Sequence, residues 1–192
     1  MKRIIVGITG ATGAIYGVRL LEALAGKAET HLVISETAAG ILQRETACSL
    51  DDLREKADRV HENNDLYSPI ASGTFITDGM VVMPCSMKSL SGIANSYAEN
   101  LLLRAADVTL KQRRPLILGV RETPLHAGHL KLMLAAAEMG AIIAPPMPAF
   151  YHKPKEINDI INHTVGLALD LLGIFHDLPV RWEPGIMSGK ER

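Results

Sequence analysis

The chain has 192 residues, of which 47% are hydrophobic and 21% are charged, and this composition excludes disordered, collagen-like and coiled-coil proteins. Its formal net charge of −1 provides no general electrostatic reason to bind nucleic acid or an anionic membrane. Two cysteines are too few for a disulfide framework, and no apolar stretch is long enough to span a bilayer. We therefore expect a cytoplasmic protein in which residues 1–192 form a single domain.

Short apolar or β-branched runs alternate with longer helical patterns along the chain. The predicted strands are residues 3–8, 30–34, 80–83, 116–120 and 141–144. The predicted helices are residues 14–25, 38–45, 50–57, 89–95, 101–111, 125–139 and 157–172, with a long irregular stretch at 58–78. Continuous apolar runs are typical of parallel strands covered on both faces. The sequence therefore predicts an α/β fold with a doubly wound, mostly parallel sheet of the Rossmann-like or flavodoxin-like class, with ligands bound at the carboxyl ends of the strands.

A glycine-rich turn, GITGATGA at residues 7–14, joins the first predicted strand to the first predicted helix. Glycines allow backbone N–H groups to close around a phosphate at the positive end of a helix, and Thr9 and Thr12 add hydroxyl donors. The spacing G-x-x-G-x-x-G is similar to the turn of short-chain dehydrogenases. We expect this turn to bind the phosphate of a nucleotide cofactor, and the alternative is a tight turn without a ligand.

A nicotinamide-dependent dehydrogenase is therefore one candidate. Glu36 follows the second strand, where a carboxylate could bind a ribose. The catalytic Tyr and Lys of those enzymes lie four residues apart on one helix, and Tyr151 and Lys155 have this spacing. Pro154 lies between them, removes a helical N–H and clashes with the preceding turn, so the dehydrogenase hypothesis weakens.

Potential ligand-binding side chains are dense between residues 84 and 125. They follow the third and fourth predicted strands or lie on the helix between them. They are Ser86, Lys88, Ser89, Arg104, Lys111, Arg121 and Glu122. Arg104 and Lys111 are seven residues apart, so a helix presents both on the same side. Each residue alone also fits a solvated surface position, but together they predict an anion-binding pocket.

Two other kinds of site are compatible with the sequence. Glu122, His126 and His129 have a helix-compatible spacing for a metal site, although capping and surface hydrogen bonds are the usual roles of such residues. Cys85 lies between a strand and a helix, where a low-pKa nucleophile is possible, but no histidine is paired with it locally. We favour a packing role for Cys85 and no metal site.

Long motifs over almost the whole chain resemble the UbiX-like flavin prenyltransferases. These motifs are GITGATGAIYGVRLL, ETHLVIS, PCSMKSLSGI, RAADVTLKQRRPLIL, VRETPL and PPMPAFYHKP. The resemblance implies a flavoprotein that transfers the dimethylallyl group of dimethylallyl monophosphate to N5 and C6 of reduced flavin mononucleotide (FMN). The product, prenylated FMN, would serve a UbiD-type decarboxylase. It also implies a dodecamer with sites shared between subunits.

The same resemblance implies roles for individual residues. Those implied to contact the flavin are Gly10, Ala11, Thr12, Ser35, Ser86, Met87, Lys88, Ser89 and Arg121. Those implied to hold the prenyl phosphate, some of them from a neighbouring subunit, are Arg104, Lys111, Glu122 and Tyr151. Lys111, Glu122 and Tyr151 are also expected to be catalytic, together with Glu45, which matches a family glutamate implicated in proton handling. Leu167 occupies a position where relatives carry an arginine for the prenyl phosphate.

Two alternatives to prenyl transfer remain. The first is an FMN-binding carrier or accessory subunit of a decarboxylase, which the leucine at position 167 favours. The second is a flavin-dependent cysteine decarboxylase of the related fold. That family uses a histidine after the first glycine turn, whereas this chain has Ala14, Ile15 and Tyr16.

The chain also lacks the Asp-rich motif with which pyrophosphate-using prenyltransferases bind Mg²⁺.

Overall fold

A computed structural model describes residues 1–178. Within them, six strands form one sheet in the order β3-β2-β1-β4-β5-β6, and all neighbouring strands are parallel. The strands are β1 (Lys2–Ile8), β2 (Ala28–Ile34), β3 (Arg59–His61), β4 (Gly79–Cys85), β5 (Leu116–Val120) and β6 (Ile142–Ile143). The helices are α1 (Ala14–Leu24), α2 (Glu36–Glu45), α3 (Leu50–Glu55), α4 (Met87–Ala94), α5 (Leu101–Lys111), α6 (Ala127–Glu138) and α7 (Ile157–Leu171). The predicted doubly wound parallel fold is confirmed.

The strand order determines where a ligand can bind. The chain runs outward from β1 through β2 to β3, and then returns to place β4 on the other side of β1. This reversal opens a crevice beyond the carboxyl ends of β1 and β4, which is the position where doubly wound sheets bind nucleotides. The glycine turn follows β1 and Ser86 follows β4, so the topology brings both predicted sites to this crevice.

Both faces of the sheet are covered by helices. One apolar cluster contains residues of α1, α2 and α7, and a second contains residues of α4, α5 and α6. The central strands are consequently buried along most of their length, and β4 is buried at every residue. This two-sided burial explains why their sequences are continuously apolar rather than alternating. It also gives the carboxyl ends of the strands a rigid position.

The stretch 58–78 differs from the prediction because it is partly regular. It contains β3 and a short 3-10 helix, Pro69–Ala71. The carboxylate of Asp58 accepts hydrogen bonds from the N–H and the hydroxyl of Thr30, at 2.8 and 2.9 Å, and so fixes β3 beside β2. The Arg114 guanidinium donates to the carbonyls of Gly73 and Phe75, at 2.9 and 3.0 Å. Tertiary hydrogen bonds therefore order a segment whose local sequence lacks an apolar pattern.

Among residues 1–178, no helix combines the length and the apolar character that crossing a bilayer requires.

Candidate functional site

A cavity of about 690 Å³ lies in the crevice at the carboxyl ends of β1, β2, β4 and β5. Its volume is within the range of pockets that hold cofactors and drug-sized ligands. All nine residues predicted to contact the flavin line it, namely Gly10, Ala11, Thr12, Ser35, Ser86, Met87, Lys88, Ser89 and Arg121. Glu122 lines it as well. The structure thus brings together residues that are up to 112 positions apart in the sequence (10 to 122).

The glycine turn has two conformational requirements. Gly13 adopts a left-handed conformation with φ of 97°, which a residue with a side chain adopts only under strain. At Gly10, an added Cβ would lie 2.7 Å from the Cβ of Thr37, because the start of α2 packs against the turn. These two glycines allow α1 and α2 to begin at the same wall of the cavity.

The N-terminus of α1 is occupied by a carboxylate of the chain itself. Glu45 Oε2 accepts hydrogen bonds from the N–H groups of Gly13 and Ala14, at 2.7 and 3.1 Å. A phosphate bound at this helix end, as predicted, would therefore meet N–H groups that already donate to Glu45. Gly10, Ala11 and Thr12 still face the cavity, so the turn contributes its first half to the site.

The environment of Glu45 keeps its carboxylate ionised at neutral pH. Burial raises the pKa of Glu45, but hydrogen bonds from Thr12, Gly13 and Ala14, together with the charge of Arg121, hold it below its ordinary value. Glu45 thus connects the end of α2 to the start of α1. Its expected role in proton handling stays a prediction.

Replacing Glu45 with glutamine should destabilise the fold at neutral pH and have little effect in acid. Because the folded-state pKa is lowered, the stabilisation is present above the unfolded pKa of about 4.3 and disappears as pH falls through the folded pKa. We expect the melting temperatures of the wild type and Glu45→Gln to differ at about pH 7 and to converge by about pH 3. Glu55→Gln, on the exposed end of α3, is the matched control. A difference that persists or grows in acid would contradict this role.

The N-terminus of α4 forms a second wall of the cavity. Ser86 is its N-cap, and the Ser86 hydroxyl accepts a hydrogen bond from the N–H of Ser89 at 3.3 Å. Thr9, expected to donate to a ligand, is buried instead. Its hydroxyl donates to the carbonyl of Pro84 at 2.8 Å and accepts from the N–H of Ser86 at 2.7 Å. The expectation for Thr9 was wrong, because its hydroxyl ties β1 to the end of β4.

Charges of both signs surround the cavity. Lys88 and Arg121 provide two cations, and within the described residues neither side chain has a hydrogen bond or an ion pair. Glu36, Glu99 and Glu122 provide three carboxylates. Two unpaired cations close to the N-termini of α2 and α4 suit a phosphate group, because helix N-termini also favour anions. The carboxylates suit the polar, hydroxyl-rich part of a nucleotide.

Three of the four residues predicted to hold the prenyl phosphate do not line this cavity in the single chain, and neither does Glu45. The guanidinium of Arg104 donates to the carbonyl of Ala71 at 3.1 Å and pairs with Asp107 at 2.8 Å. Lys111 is the exposed last residue of α5, and β5 starts soon after it, so Lys111 lies towards the amino edge of the sheet. Tyr151 is 52% exposed and hydrogen-bonds to His163. The structure brings Glu122 alone of the predicted phosphate-binding residues to the cavity.

Several cavity residues were missed by sequence analysis. They are Thr37, Ile41, Asn63, Glu99, Asn100 and Leu103. Asn100 precedes a helix as its N-cap, which is a recognisable local signal. Asn63 has no such local signal, because its partners are distant in sequence. Its carbonyl and side-chain oxygens accept hydrogen bonds from the N–H groups of Leu101 and Leu102, at 2.8 and 3.0 Å, nearly forty residues away.

The other candidate chemistries find little support in the geometry. Burial raises the pKa of the Cys85 thiol to about 12, so this residue is protonated at neutral pH and suits packing rather than nucleophilic attack. His126 caps α6, and its ring lies 3.6 Å from that of His129. Residues 1–178 contain no group of three His, Cys, Asp or Glu side chains placed to hold a metal ion. Tyr151 and Lys155 both precede α7 and do not share a helix, as predicted.

Comparison with known proteins identifies the family. Residues 1–168 match the family model described as Flavoprotein. The flavin prenyltransferase UbiX of Salmonella typhimurium is 57% identical over 187 residues, which cover 95% of this chain and 99% of that protein. The crystal structure of AnUbiX (PadA1) in complex with FMN and dimethylallyl pyrophosphate has a TM-score of 0.94 and 46% identity, covering 95% of this chain and 98% of that one.

A second solved structure has the same fold and is described as a dodecamer. The dodecameric FMN-dependent UbiX-like decarboxylase from Escherichia coli O157:H7 has a TM-score of 0.92 and 48% identity, covering 95% of this chain and 100% of that one. Both the sequence and the structural matches extend over nearly the full length. The chain belongs to the flavoprotein family and, within it, to the UbiX-like flavin prenyltransferases.

Proposed function

We propose that the chain is a flavin prenyltransferase that joins the dimethylallyl group of dimethylallyl monophosphate to reduced FMN. The observation that carries this proposal is the cavity at the β1 and β4 crevice, which is lined by all nine residues predicted to contact the flavin, two cations among them. A relative that is 57% identical over almost the whole chain, itself a flavin prenyltransferase, supports the same function. The product, prenylated FMN, would be delivered to a UbiD-type decarboxylase.

The cavity residues fit FMN. Lys88 and Arg121 provide charge for its phosphate, and the N-termini of α2 and α4 provide backbone N–H groups. Ser35 and Ser86 cap these two helices, so their hydroxyls are already fixed at the cavity wall. Reduced FMN, when bound, supplies the nucleophile of the reaction. The protein's contribution is to hold its ring system in a fixed position against the allylic carbon of the donor.

The donor phosphate requires a second group of residues. Breaking the allylic C–O bond releases an anionic phosphate, and preorganised cations stabilise that charge as it develops. We propose that Arg104 and Lys111 supply this positive charge and that Glu122 and Tyr151 complete the donor-phosphate site. Lys111 and Tyr151 are exposed and do not line the cavity of their own chain, which supports a site completed by a neighbouring subunit. A dodecamer, as in the Escherichia coli O157:H7 structure, would provide such neighbours.

We further propose that the chain works as one flavin-binding domain in the cytoplasm. One parallel sheet accounts for all strands among residues 1–178, which supports the single domain. Cys48 and Cys85 are both free thiols, which supports a reducing compartment.

The product can be tested through its proposed recipient. The protein is incubated anaerobically with reduced FMN and dimethylallyl monophosphate and then removed by filtration, and the filtrate is added to a UbiD-type decarboxylase purified without cofactor. We expect decarboxylase activity with the complete mixture and none when the donor is omitted. A protein that binds FMN but yields an inactive filtrate would instead be a flavin carrier.

A further inference from the structure

Tyr151, His152 and His163 form a small aromatic cluster beside α7, which we call the Tyr151 cluster. The Tyr151 hydroxyl lies 2.6 Å from Nε2 of His163. The rings of His152 and His163 stack with centroids 4.8 Å apart and an interplanar angle of 4°. His163 is the one side-chain hydrogen-bond partner of Tyr151 within residues 1–178. The hydroxyl expected to contact the donor phosphate thus forms a hydrogen bond with a ring that can gain or lose a proton.

The presence or absence of a proton on Nε2 of His163 determines the direction of this hydrogen bond. A neutral ring with its proton on Nδ1 offers Nε2 as an acceptor, and the tyrosine proton then points at the histidine. A protonated ring has a proton on both nitrogens, so Nε2 must donate to the tyrosine oxygen. The tyrosine proton then points away from His163. Tyr151 can then donate to a phosphate oxygen while keeping its bond to His163. A neutral ring with its proton on Nε2 gives the same direction, but the protonated ring alone adds a positive charge that attracts an incoming dianion.

The groups around His163 show what controls its charge. Burial lowers the pKa of His163, and the charge of the stacked His152 lowers it further. On α7, the carboxylate of Asp159 accepts hydrogen bonds from the N–H groups of Lys155 and Glu156, at 2.7 and 3.3 Å, and its pKa is also lowered by the charge of His152. Helix α1 also packs against α7.

From α1, two titratable groups approach this part of α7, and both bind residues other than His163. Arg19 donates to the side chain of Asn162 at 2.7 Å, and Tyr16 hydrogen-bonds to Thr164. Arg19 also forms an ion pair with Glu22 at 3.6 Å. The described chain therefore gives His163 no carboxylate partner, and an incoming dianion would be its first.

Leu167 lies one helical turn beyond His163 and is 43% exposed. Its side chain offers neither charge nor hydrogen bond to an anion, whereas the two histidines of the Tyr151 cluster can offer both. His152 supports this view, since both of its ring nitrogens are buried without a hydrogen-bond partner in the described structure. Two imidazoles and a tyrosine hydroxyl are a donor set that suits a phosphate monoester.

We propose that His163 is a positioning residue for the donor phosphate: when protonated, it donates to Tyr151 and turns the tyrosine proton towards a phosphate oxygen, so that donor binding takes up a proton. This inference rests on the proposed function, because the phosphate is that of dimethylallyl monophosphate. It adds that binding of the donor becomes tighter as pH falls. It also explains how the site works with a leucine at position 167.

Proton uptake on binding tests this proposal directly. Calorimetry of dimethylallyl monophosphate binding to the FMN-loaded protein, in buffers of different ionisation enthalpy near pH 7, gives the number of protons taken up per donor. The same titrations are run on His163→Gln, whose amide can donate to Tyr151 at any pH but does not titrate. We expect the wild type to take up more protons than His163→Gln, by up to about one per donor. The phosphate's own titration contributes equally to both proteins and cancels.

The affinities should follow the same pattern. Between about pH 8 and about pH 6, we expect the ratio of the His163→Gln dissociation constant to that of the wild type to rise about tenfold, as a neutral hydrogen bond becomes a charged one. His163→Phe keeps a stacking ring but removes the donor, and it should bind weakly at both pH values. A melting curve of each variant checks that it is folded.

The outcomes separate the two proposals. Equal proton uptake by the wild type and His163→Gln, or a pH-independent ratio, would overturn the role of His163 while leaving prenyl transfer intact. Failure of the donor to bind any of the three proteins would overturn it as well. Greater proton uptake by the wild type, combined with a flavin whose mass never changes, would support His163 and contradict the transferase function.

Discussion

Replacing Arg121 with alanine should weaken FMN binding by about tenfold to a hundredfold. Arg121 lines the cavity and makes no side-chain hydrogen bond or ion pair in the described structure, so its guanidinium is available to the flavin phosphate. Removing one charge-assisted hydrogen bond costs roughly 1.5–3 kcal/mol, which corresponds to this change in the dissociation constant. The quenching of flavin fluorescence, titrated at constant ionic strength, measures the effect.

The matched control for Arg121→Ala is Lys27→Ala. Lys27 is exposed in the turn between α1 and β2, at the opposite edge of the sheet from the cavity. The Lys27→Ala substitution removes the same formal charge as Arg121→Ala, so any change due to net charge alone appears in both variants. We expect Lys27→Ala to bind FMN like the wild type. Equal affinities for all three proteins would show that the flavin phosphate binds elsewhere.

Mixing two inactive variants should restore about a quarter of the wild-type activity if sites are shared between subunits. Arg121→Ala removes a flavin-side residue, and Lys111→Ala removes a donor-side residue that lies away from the cavity of its own chain. In randomly assembled oligomers, one site in four then combines the intact flavin side of a Lys111→Ala subunit with the intact donor side of an Arg121→Ala subunit. Hybrids are obtained by co-expression with two affinity tags and assayed at an FMN concentration that limits Arg121→Ala.

Each variant purified alone serves as the control for the hybrids and should stay nearly inactive. If both halves of the site came from one subunit, every site in a hybrid would carry one of the two defects. Hybrids as inactive as the separate variants would therefore contradict the shared site. They would leave the flavin-binding role of Arg121 unaffected.

The central strands of the fold could be predicted because each is encoded by a short, continuous apolar stretch of sequence. Strands β1, β4 and β5 are buried on both faces, so their composition alone indicates them. Strand β3 could not be predicted in this way. It is a three-residue edge strand with two exposed residues, and it depends on pairing with β2 and on the Asp58 carboxylate.

The candidate site was predictable to the extent that it follows strand ends. Ser35, Ser86 and Arg121 each come directly after a buried strand, and the parallel sheet brings these positions to one edge. Long-range hydrogen bonds were not predictable from residue patterns. Glu45 at the start of α1 and Asn63 at the start of α5 both act across more than 30 residues of chain, and neither position carries a local signal of its partner.

The mass of the flavin after reaction tests the central claim most directly. The wild-type protein is incubated without oxygen with reduced FMN and dimethylallyl monophosphate, and in parallel with dimethylallyl pyrophosphate, and the flavin is then analysed by mass spectrometry. We predict that the flavin gains the mass of one prenyl unit with the monophosphate, with release of an equal amount of phosphate. Unmodified FMN bound to the protein after incubation with the monophosphate would contradict the account.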